Sequence, residues 1–432
     1  VSEDPLSRFS PTTQEWFRAA LGTPTRAQAR AWPSVAAGES TLLLAPTGSG
    51  KTLAAFLAAI DALIVAPEPP KQARCRVLYV SPLKALAVDI ERNLRAPLAG
   101  IAEIGRRRGH ALRLPSAMVR TGDTPSAERS RMQRAPADIL ITTPESLFLL
   151  LTSRASQILA LAPTKRGVHL FVSLERLEAL RANKKRPLQR IGLSATQRPL
   201  EEIARLLGGF EAQSSEKKRT RRDPKMTPRP VTIVDASDKK KLSVRVEVPA
   251  IDMGRLGEIE EVPTGPAAGG GNRRSIWPHL HERIVELVRS HRSTMIFVNS
   301  RRLAERLAGA LNDVAGDEIA LAHHGSVARE ARAVMEDRLK RGELPAIIAT
   351  SSLELGIDMG AVDLVIQIES PPSVAAGLQR IGRAGHNVGE VSHGVVFPKH
   401  RADLLACAAA VADMQEGHVE ATRYPRNPLD VL

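Results

Sequence analysis

The segment Ala45-Pro46-Thr47-Gly48-Ser49-Gly50-Lys51-Thr52 restricts the fold of this chain more than any other. A strand-like run, Leu42-Leu43-Leu44, leads into it, and a helical one, Leu53-Ala54-Ala55-Phe56-Leu57, leads out. Strand, glycine loop, helix is the order that holds a triphosphate. Glycines let backbone N–H groups turn toward phosphate oxygens, and the helix N-terminus adds the positive end of its dipole. Lys51 is placed to reach the β- and γ-phosphates, and the Thr52 hydroxyl to ligate Mg²⁺.

The same alternation runs through the rest of the chain. Strand-like runs fall at Thr41–Leu44, Arg76–Val80, Asp138–Ile141 and Gln189–Leu193, then at Thr294–Val298, Pro345–Ala349, Leu364–Ile368 and Gly394–Phe397. Between them lie helical patterns such as Ala85–Leu94, Val168–Leu180, Glu282–Arg289 and Arg302–Leu311. Such alternation predicts parallel sheets with helices on both faces. The basic stretch Glu211–Pro230 reads as an exposed linker, or a loop that touches nucleic acid, and Pro263–Gly271 as a flexible insertion. We therefore expect a first domain over 1–210, a linker over 211–230 and a second domain over 231–432, with Val231–Val234 and Ser243–Val248 as strands entering the second.

Composition narrows the partners. The 432 residues carry 61 Lys+Arg against 47 Asp+Glu, a net charge of +14 that favours a phosphate polymer. Aromatic residues make up only 3%, so a bound strand should be gripped mainly by its backbone. No apolar run is long enough to span a membrane, and no secretory leader is legible. The two cysteines, Cys75 and Cys407, lack metal-ligand spacing and cannot form a disulfide scaffold, which suits a reducing, cytoplasmic setting. His323-His324 has no matching ligand spacing either. Trp16 and Trp277 are core residues or, respectively, an adenine neighbour and a stacking wedge.

Further short runs occur in a fixed order. Pro24-Thr25-Arg26-Ala27-Gln28 precedes the phosphate loop; Ser81-Pro82-Leu83-Lys84, Arg120-Thr121-Gly122-Asp123, Thr142-Thr143-Pro144-Glu145 and Ser194-Ala195-Thr196 follow it. The second half carries Phe297-Val298-Asn299-Ser300-Arg301-Arg302, then Ala349-Thr350-Ser351-Ser352-Leu353-Glu354-Leu355-Gly356-Ile357-Asp358, then Gln379-Arg380-Ile381-Gly382-Arg383-Ala384-Gly385-His386. The series resembles the superfamily 2 helicases. With Thr164-Lys165-Arg166-Gly167 and Ser173-Leu174-Glu175-Arg176-Leu177 it resembles the large helicase-related (Lhr) family.

The resemblance implies an α/β chain of two tandem RecA-like domains with ATP and Mg²⁺ between them. Single-stranded DNA, or a DNA/RNA hybrid, would lie across their tops. Thr25, Gln28, Thr47, Gly48, Ser49, Gly50, Lys51 and Thr52 would hold the nucleotide from the first domain, with the Gln28 amide reading the adenine edge. Asp358 would accept from a ribose hydroxyl, and Arg380 and Arg383 would reach the γ-phosphate as arginine fingers. Lys84, Arg120, Thr143, Glu145, Ser300, Arg301, Arg302, Thr350 and Ser351 would line the strand, and Ser194 and Thr196 would couple the two sites. Thr143-Pro144-Glu145 is also what an ordinary capped helix start looks like. The implied activity is that of a 3′→5′ DNA helicase motor whose cleft closes on ATP and ratchets the strand. An RNA helicase and an ATP-gated clamp without hydrolysis are the alternatives.

Two features depart from the family pattern. Its Asp-Glu-x-His run, which helps hold Mg²⁺ and activates the attacking water, is absent. No acidic residue lies between Glu145 and Glu175, and the text reads as joined near Gln157–Leu161 with about a strand's length gone. Either the segment was removed from the chain, or it was lost naturally and ATP is bound without being split. Glu175 and Glu178 are explained by a charged helix face. The winged-helix region that follows the core in the family is also expected beyond the last residue.

Overall fold

The structure, a computed structural model, describes residues 4–46, 48–70, 73–82, 84–152, 165–180, 187–195, 197–212, 226–237, 241–249, 275–354, 362–385 and 390–421. The chain divides into two compact units, one through Asp238 and one over Lys239–Glu420.

The first unit opens with α1 (Pro11–Leu21) and α2 (Arg26–Ala36), then β1 (Thr41–Leu44), α3 (Lys51–Val65), β2 (Val77–Val80) and α4 (Lys84–Arg107). It continues through β3 (Ala117–Arg120), α5 (Ser126–Arg134), β4 (Ile139–Thr142), α6 (Pro144–Thr152) and α7 (Lys165–Leu180). It ends with β5 (Ile191–Ser194), α8 (Leu200–Gly208), a β6–β7 antiparallel ladder (Phe210–Ala212, Met226–Pro228) and β8 (Thr232–Asp235).

Its parallel strands form two three-stranded sheets, β5-β1-β8 and β2-β4-β3. The central strands, β1 and β4, are buried throughout, as Leu- and Ile-rich parallel strands require. Helix α3 serves both sheets. Ala54 packs with Leu43, Ala45 and Val234, while Phe56, Leu57 and Ile60 pack with Ile139 and Ile141. Among the described residues β5 pairs only with β1 and β2 only with β4, and both are just half-buried although their sequences are apolar. Among the described residues no strand joins the two half-sheets that share this helix.

The run Val231–Val234, expected to open the second domain, instead gives β8 of the first. It pairs in parallel with β1 from Thr41↔Thr232 to Leu44↔Asp235, and Val234 and Ala236 enter the core beside Ala27 and Ala31. Most of the basic stretch expected as a linker, residues 213–225, lies outside the described residues, its ends belong to the β6–β7 ladder, and the sheet joined by the apolar strand after it is a non-local choice.

The second unit contains β9 (Leu242–Val246), α9 (Trp277–Arg289), β10 (Thr294–Phe297), α10 (Arg301–Ala315), β11 (Ala320–His323), α11 (Arg329–Lys340) and β12 (Ala346–Ala349). A 3-10 turn, Ser351–Leu353, leads on to β13 (Leu364–Ile368), α12 (Val374–Ile381), β14 (Ser392–Phe397) and α13 (Arg401–Glu416). Its six strands make one parallel sheet in the order β11-β12-β10-β13-β14-β9. Strands β10, β12 and β13 are wholly buried. Ile284, Leu307, Leu311, Ile348 and Ile366 fill the core on one face, and each such side chain contributes about 1.5–3 kcal/mol by leaving water.

Candidate nucleotide site and strand-terminal edges

The phosphate loop is shaped by glycine. Gly48 (φ 79°) and Gly50 (φ 75°) adopt the left-handed conformation that side chains resist. Gly50 is the N-cap of α3 and offers no side-chain cap, so no side chain competes with an anion at the positive end of that helix. The Ser49 hydroxyl donates to the Pro46 carbonyl (2.7 Å), and Lys51 Nζ donates to the carbonyls of Ala45 and Pro46 (2.5 and 2.6 Å). The ammonium thus lies over the mouth of its own loop, where a phosphate oxygen could replace a carbonyl. These features fit a triphosphate. For Mg²⁺ the fit is partial: Thr52 offers a hydroxyl, but the family's metal-holding carboxylate is absent from the sequence.

Thr25 and Gln28 close on this loop from α2. Thr25 Oγ1 donates to the Ser49 carbonyl (2.8 Å), and Gln28 Nε2 faces the Gly50 carbonyl at 3.4 Å. The pair also forms a capping box, in which Gln28 Oε1 accepts from the Thr25 N–H (2.9 Å). Gln28 is only 3% exposed. The amide expected to read adenine thus turns one oxygen lone pair to the cap and one N–H to the loop, and a methyl group at Gly50 would stand 2.5 Å from its nitrogen. Thr47, Thr196 and Asp358 lie outside the described residues. Ser194 closes β5, and its hydroxyl accepts from the Gln197 N–H (3.3 Å).

Arg380 requires a correction. It is 2% exposed, far too enclosed for a guanidinium that reaches out to a γ-phosphate. Its Nε donates to Glu354 (2.7 Å), a terminal nitrogen pairs with the same carboxylate, and the other donates to Asn299 Oδ1 (3.0 Å) and Gln367 Oε1 (2.9 Å). The Phe297 ring covers it at 5.3 Å. A buried cation demands such a set of acceptors, so Arg380 is a structural tie among β10, β13, α12 and the turn after β12. Arg383, one helical turn on and 7% exposed, donates to the Glu354 backbone carbonyl (2.7 Å). Asn299, Glu354 and Gln367 were missed as partners. Asn299 and Glu354 lie inside the quoted runs, but nothing in a linear text says that they meet.

The strand candidates fall on the C-terminal edges of the sheets, where open α/β sheets present loops. In the first unit Lys84 follows β2, Arg120 ends β3 and Thr143-Pro144-Glu145 follows β4, all from one parallel sheet. Lys84 pairs with Asp123 (2.6 Å) at an exposed position. Burial and then the neighbouring Arg129 lower the affinity of Arg120 for its proton. Glu145 is exposed, whereas Thr143 is 2% exposed, its hydroxyl donating to Ser146 Oγ (3.2 Å). Thr143 therefore turns its hydroxyl in toward the first turn of α6, and its carbonyl accepts from the Leu147 N–H. In the second unit Ser300 caps α10 by accepting from the Leu303 N–H (3.2 Å). Arg301 and Arg302 are exposed beside it, and Arg301 donates to Ser326 (2.8 Å) after β11. Thr350 and Ser351 follow β12, with Ser351 exposed. Glu369, after β13, has φ 68° and accepts from Asn299 Nδ2 (3.2 Å), a strained position on the same edge.

The remaining candidates are structural. Trp16 is 7% exposed in the first unit's core, and Trp277 packs against that of the second. Glu175 holds Arg190 and Arg229, and Glu178 also faces Arg190. Burial pushes the thiols of Cys75 and Cys407 up to about 12, so neither is a nucleophile.

Residues 25–203 match the DEAD/DEAH box helicase family and residues 279–387 the helicase conserved C-terminal domain. The chain belongs to the superfamily 2 helicases, as the core of one. Within that class it resembles the Lhr family. It is 50% identical to the Lhr helicase/probable uracil glycosylase of Mycolicibacterium smegmatis, over 99% of this chain and 29% of that protein. It is 41% identical to ATP-dependent helicase Lhr-Core protein 2 of Thermococcus barophilus, over 97% of this chain and 47% of that one. A solved structure of the Mycobacterium smegmatis helicase Lhr, bound to ssDNA and AMP-PNP, superposes with a TM-score of 0.85 at 52% identity, covering 99% of this chain and 53% of that one. The chain thus spans half or less of the curated relatives named here. The first of them matches over 476 positions, more than the 432 residues present, so it carries at least 44 that this chain lacks.

Proposed function

We propose that the chain is the motor core of an ATP-dependent 3′→5′ DNA helicase, a strand-dependent ATPase that translocates on single-stranded DNA in a reducing, cytoplasmic setting. One observation supports this most: 52% identity over 99% of the chain to a helicase solved with ssDNA and AMP-PNP. In this reading Gly48–Gly50 and the N-terminus of α3 hold the phosphates, Lys51 bridges β and γ, and Thr52 contributes to Mg²⁺, whose charge would offset that of the phosphates. Arg383 serves the nucleotide from the second unit, and Arg380 fixes the turn that supports it. Lys84, Arg120, Glu145, Ser300, Arg301, Arg302, Thr350 and Ser351 line the strand, reading backbone rather than base. A winged-helix region in the parent protein would supply strand separation.

One step lacks its family residue. The water-activating carboxylate of the family's Asp-Glu-x-His run has no counterpart in the sequence, which carries no acid between Glu145 and Glu175, and Glu175 is held by two arginines. General-base help is worth roughly 10²–10⁴ in rate, so DNA-stimulated turnover should be slower by about that factor than in a chain that carries the Asp-Glu-x-His run. Phosphate release with matched DNA and RNA oligomers checks the proposal. It expects stimulation by DNA above RNA, abolished by Lys51→Ala. Stronger stimulation by RNA than by DNA would favour the RNA reading, and tight binding of ATP and strand with no release at all would favour the clamp.

A further inference from the structure

Strand β11 ends on a histidine that the helicase reading leaves unused. His323 is fully buried, 0% exposed, and both ring nitrogens are engaged. Nε2 faces Glu336 Oε1 of α11 at 3.0 Å. Nδ1 faces Ser352 Oγ at 3.1 Å, and the same hydroxyl donates to the His323 carbonyl at 3.2 Å. A carboxylate only accepts, so Nε2 donates to Glu336. The Ser352 hydroxyl bridges the ring and the carbonyl of the same residue, His323. Ser352 is the middle residue of the 3-10 turn after β12. Leu353, next in line, is buried at 0%, while Ser351, just before, is exposed. Thr350, the N-cap of that turn, makes no side-chain cap bond. The turn is therefore fixed from below by Ser352 and Leu353 and shows Thr350 and Ser351 above. His324 takes no part in this; it turns to Glu305 of α10 (2.6 Å).

We infer that Glu336, His323 and Ser352 form a positioning relay that holds the turn carrying Thr350 and Ser351 in the conformation that receives a phosphate of the bound strand. The inference rests on the proposed role of those two residues. It assigns to α11, on the far side of the relay, an influence on strand affinity with no contact to the strand.

The test measures affinity for a fluorescent single-stranded DNA oligomer and, separately, for a fluorescent ATP analogue. Ser352→Ala and Glu336→Ala should each weaken strand affinity about fivefold to tenfold, the loss of about one hydrogen bond, and change nucleotide affinity by less, since the turn reaches the nucleotide only through Arg383. Combined, they should cost no more than the larger single effect, because they break one chain of contacts. Ser352→Thr keeps the hydroxyl and should restore affinity to within about twofold, which lost packing alone would not do. If Ser352→Ala and Glu336→Ala lower the melting temperature yet leave strand affinity unchanged, the relay is structural only and the inference is overturned. A Thr350→Val/Ser351→Ala double variant separates the two levels. If it too leaves strand affinity unchanged, the assignment of that edge has failed and takes the inference with it. If it weakens affinity while the relay variants do not, only the inference has failed.

Discussion

Arg380 shows how one side chain can be placed by its motif and misjudged in its task. An Arg-x-x-Arg pair on a helix reads the same whether its first guanidinium points out or in; burial decides, and burial is set by β10 and β13, far away in the text. Because Arg380 neutralises the mostly enclosed Glu354 carboxylate, Arg380→Ala should destabilise the second unit by about 3 kcal/mol, measured by urea unfolding. A solvent-facing arginine finger would cost almost nothing there. Asp138 is the acid counterpart, 1% exposed at the foot of β4. Burial alone would push its carboxyl up, but Arg113 and the N–H and hydroxyl of Ser116 outweigh that and hold it below the ordinary range. A carboxyl depressed by folding adds stability that is complete above its unfolded value of about 4 and is lost as pH falls through the folded one. The urea midpoint of the first unit should therefore drop below about pH 4, and Asp138→Asn should flatten that drop while lowering the midpoint at neutral pH. The glycine loop was legible in full because its chemistry is local. Gln28 was legible in position, but its capping box with Thr25 is visible only once the backbone is in place.

At the scale of elements, the strands read best where apolar runs end at loops. Thr41–Leu44 and Leu364–Ile368 appear with their expected limits, and β10 and β12 each differ by a single residue. Strands β3 (AMVR) and β11 (ALAH) escaped notice because four-residue runs that open on alanine and end in a charged or polar residue give no periodic signal. β8 was seen but assigned to the wrong sheet. The second sheet also depends on a missing side chain that no periodicity reveals. A Cβ at Gly394 of β14 would stand 2.6 Å from Ile381 Cδ1 and 3.1 Å from its Cγ2, so α12 rests directly on the strand backbone. Gly394→Ala should therefore cost about 1–3 kcal/mol by overpacking. The check is a urea melt of the variant beside one of Gly309→Ala, whose Cβ would meet nothing within 4 Å.

For the molecule as a whole, the ordered motifs were enough to give the α/β class and the helicase family, and the comparisons bear both out. The absence of acids between Glu145 and Glu175 was legible as well, whereas the division of the first unit's strands into two sheets was not. What the text could not supply is linkage between nucleotide and strand, since the residues assigned to each are spread over both units. That linkage is the central claim, and it does not depend on hydrolysis. The most direct measurement is the affinity of the intact chain for single-stranded DNA with and without a saturating non-hydrolysable ATP analogue. The account predicts at least about tenfold tighter binding with the analogue, abolished by Lys51→Ala. The same strand affinity with and without nucleotide in the unaltered chain would contradict it.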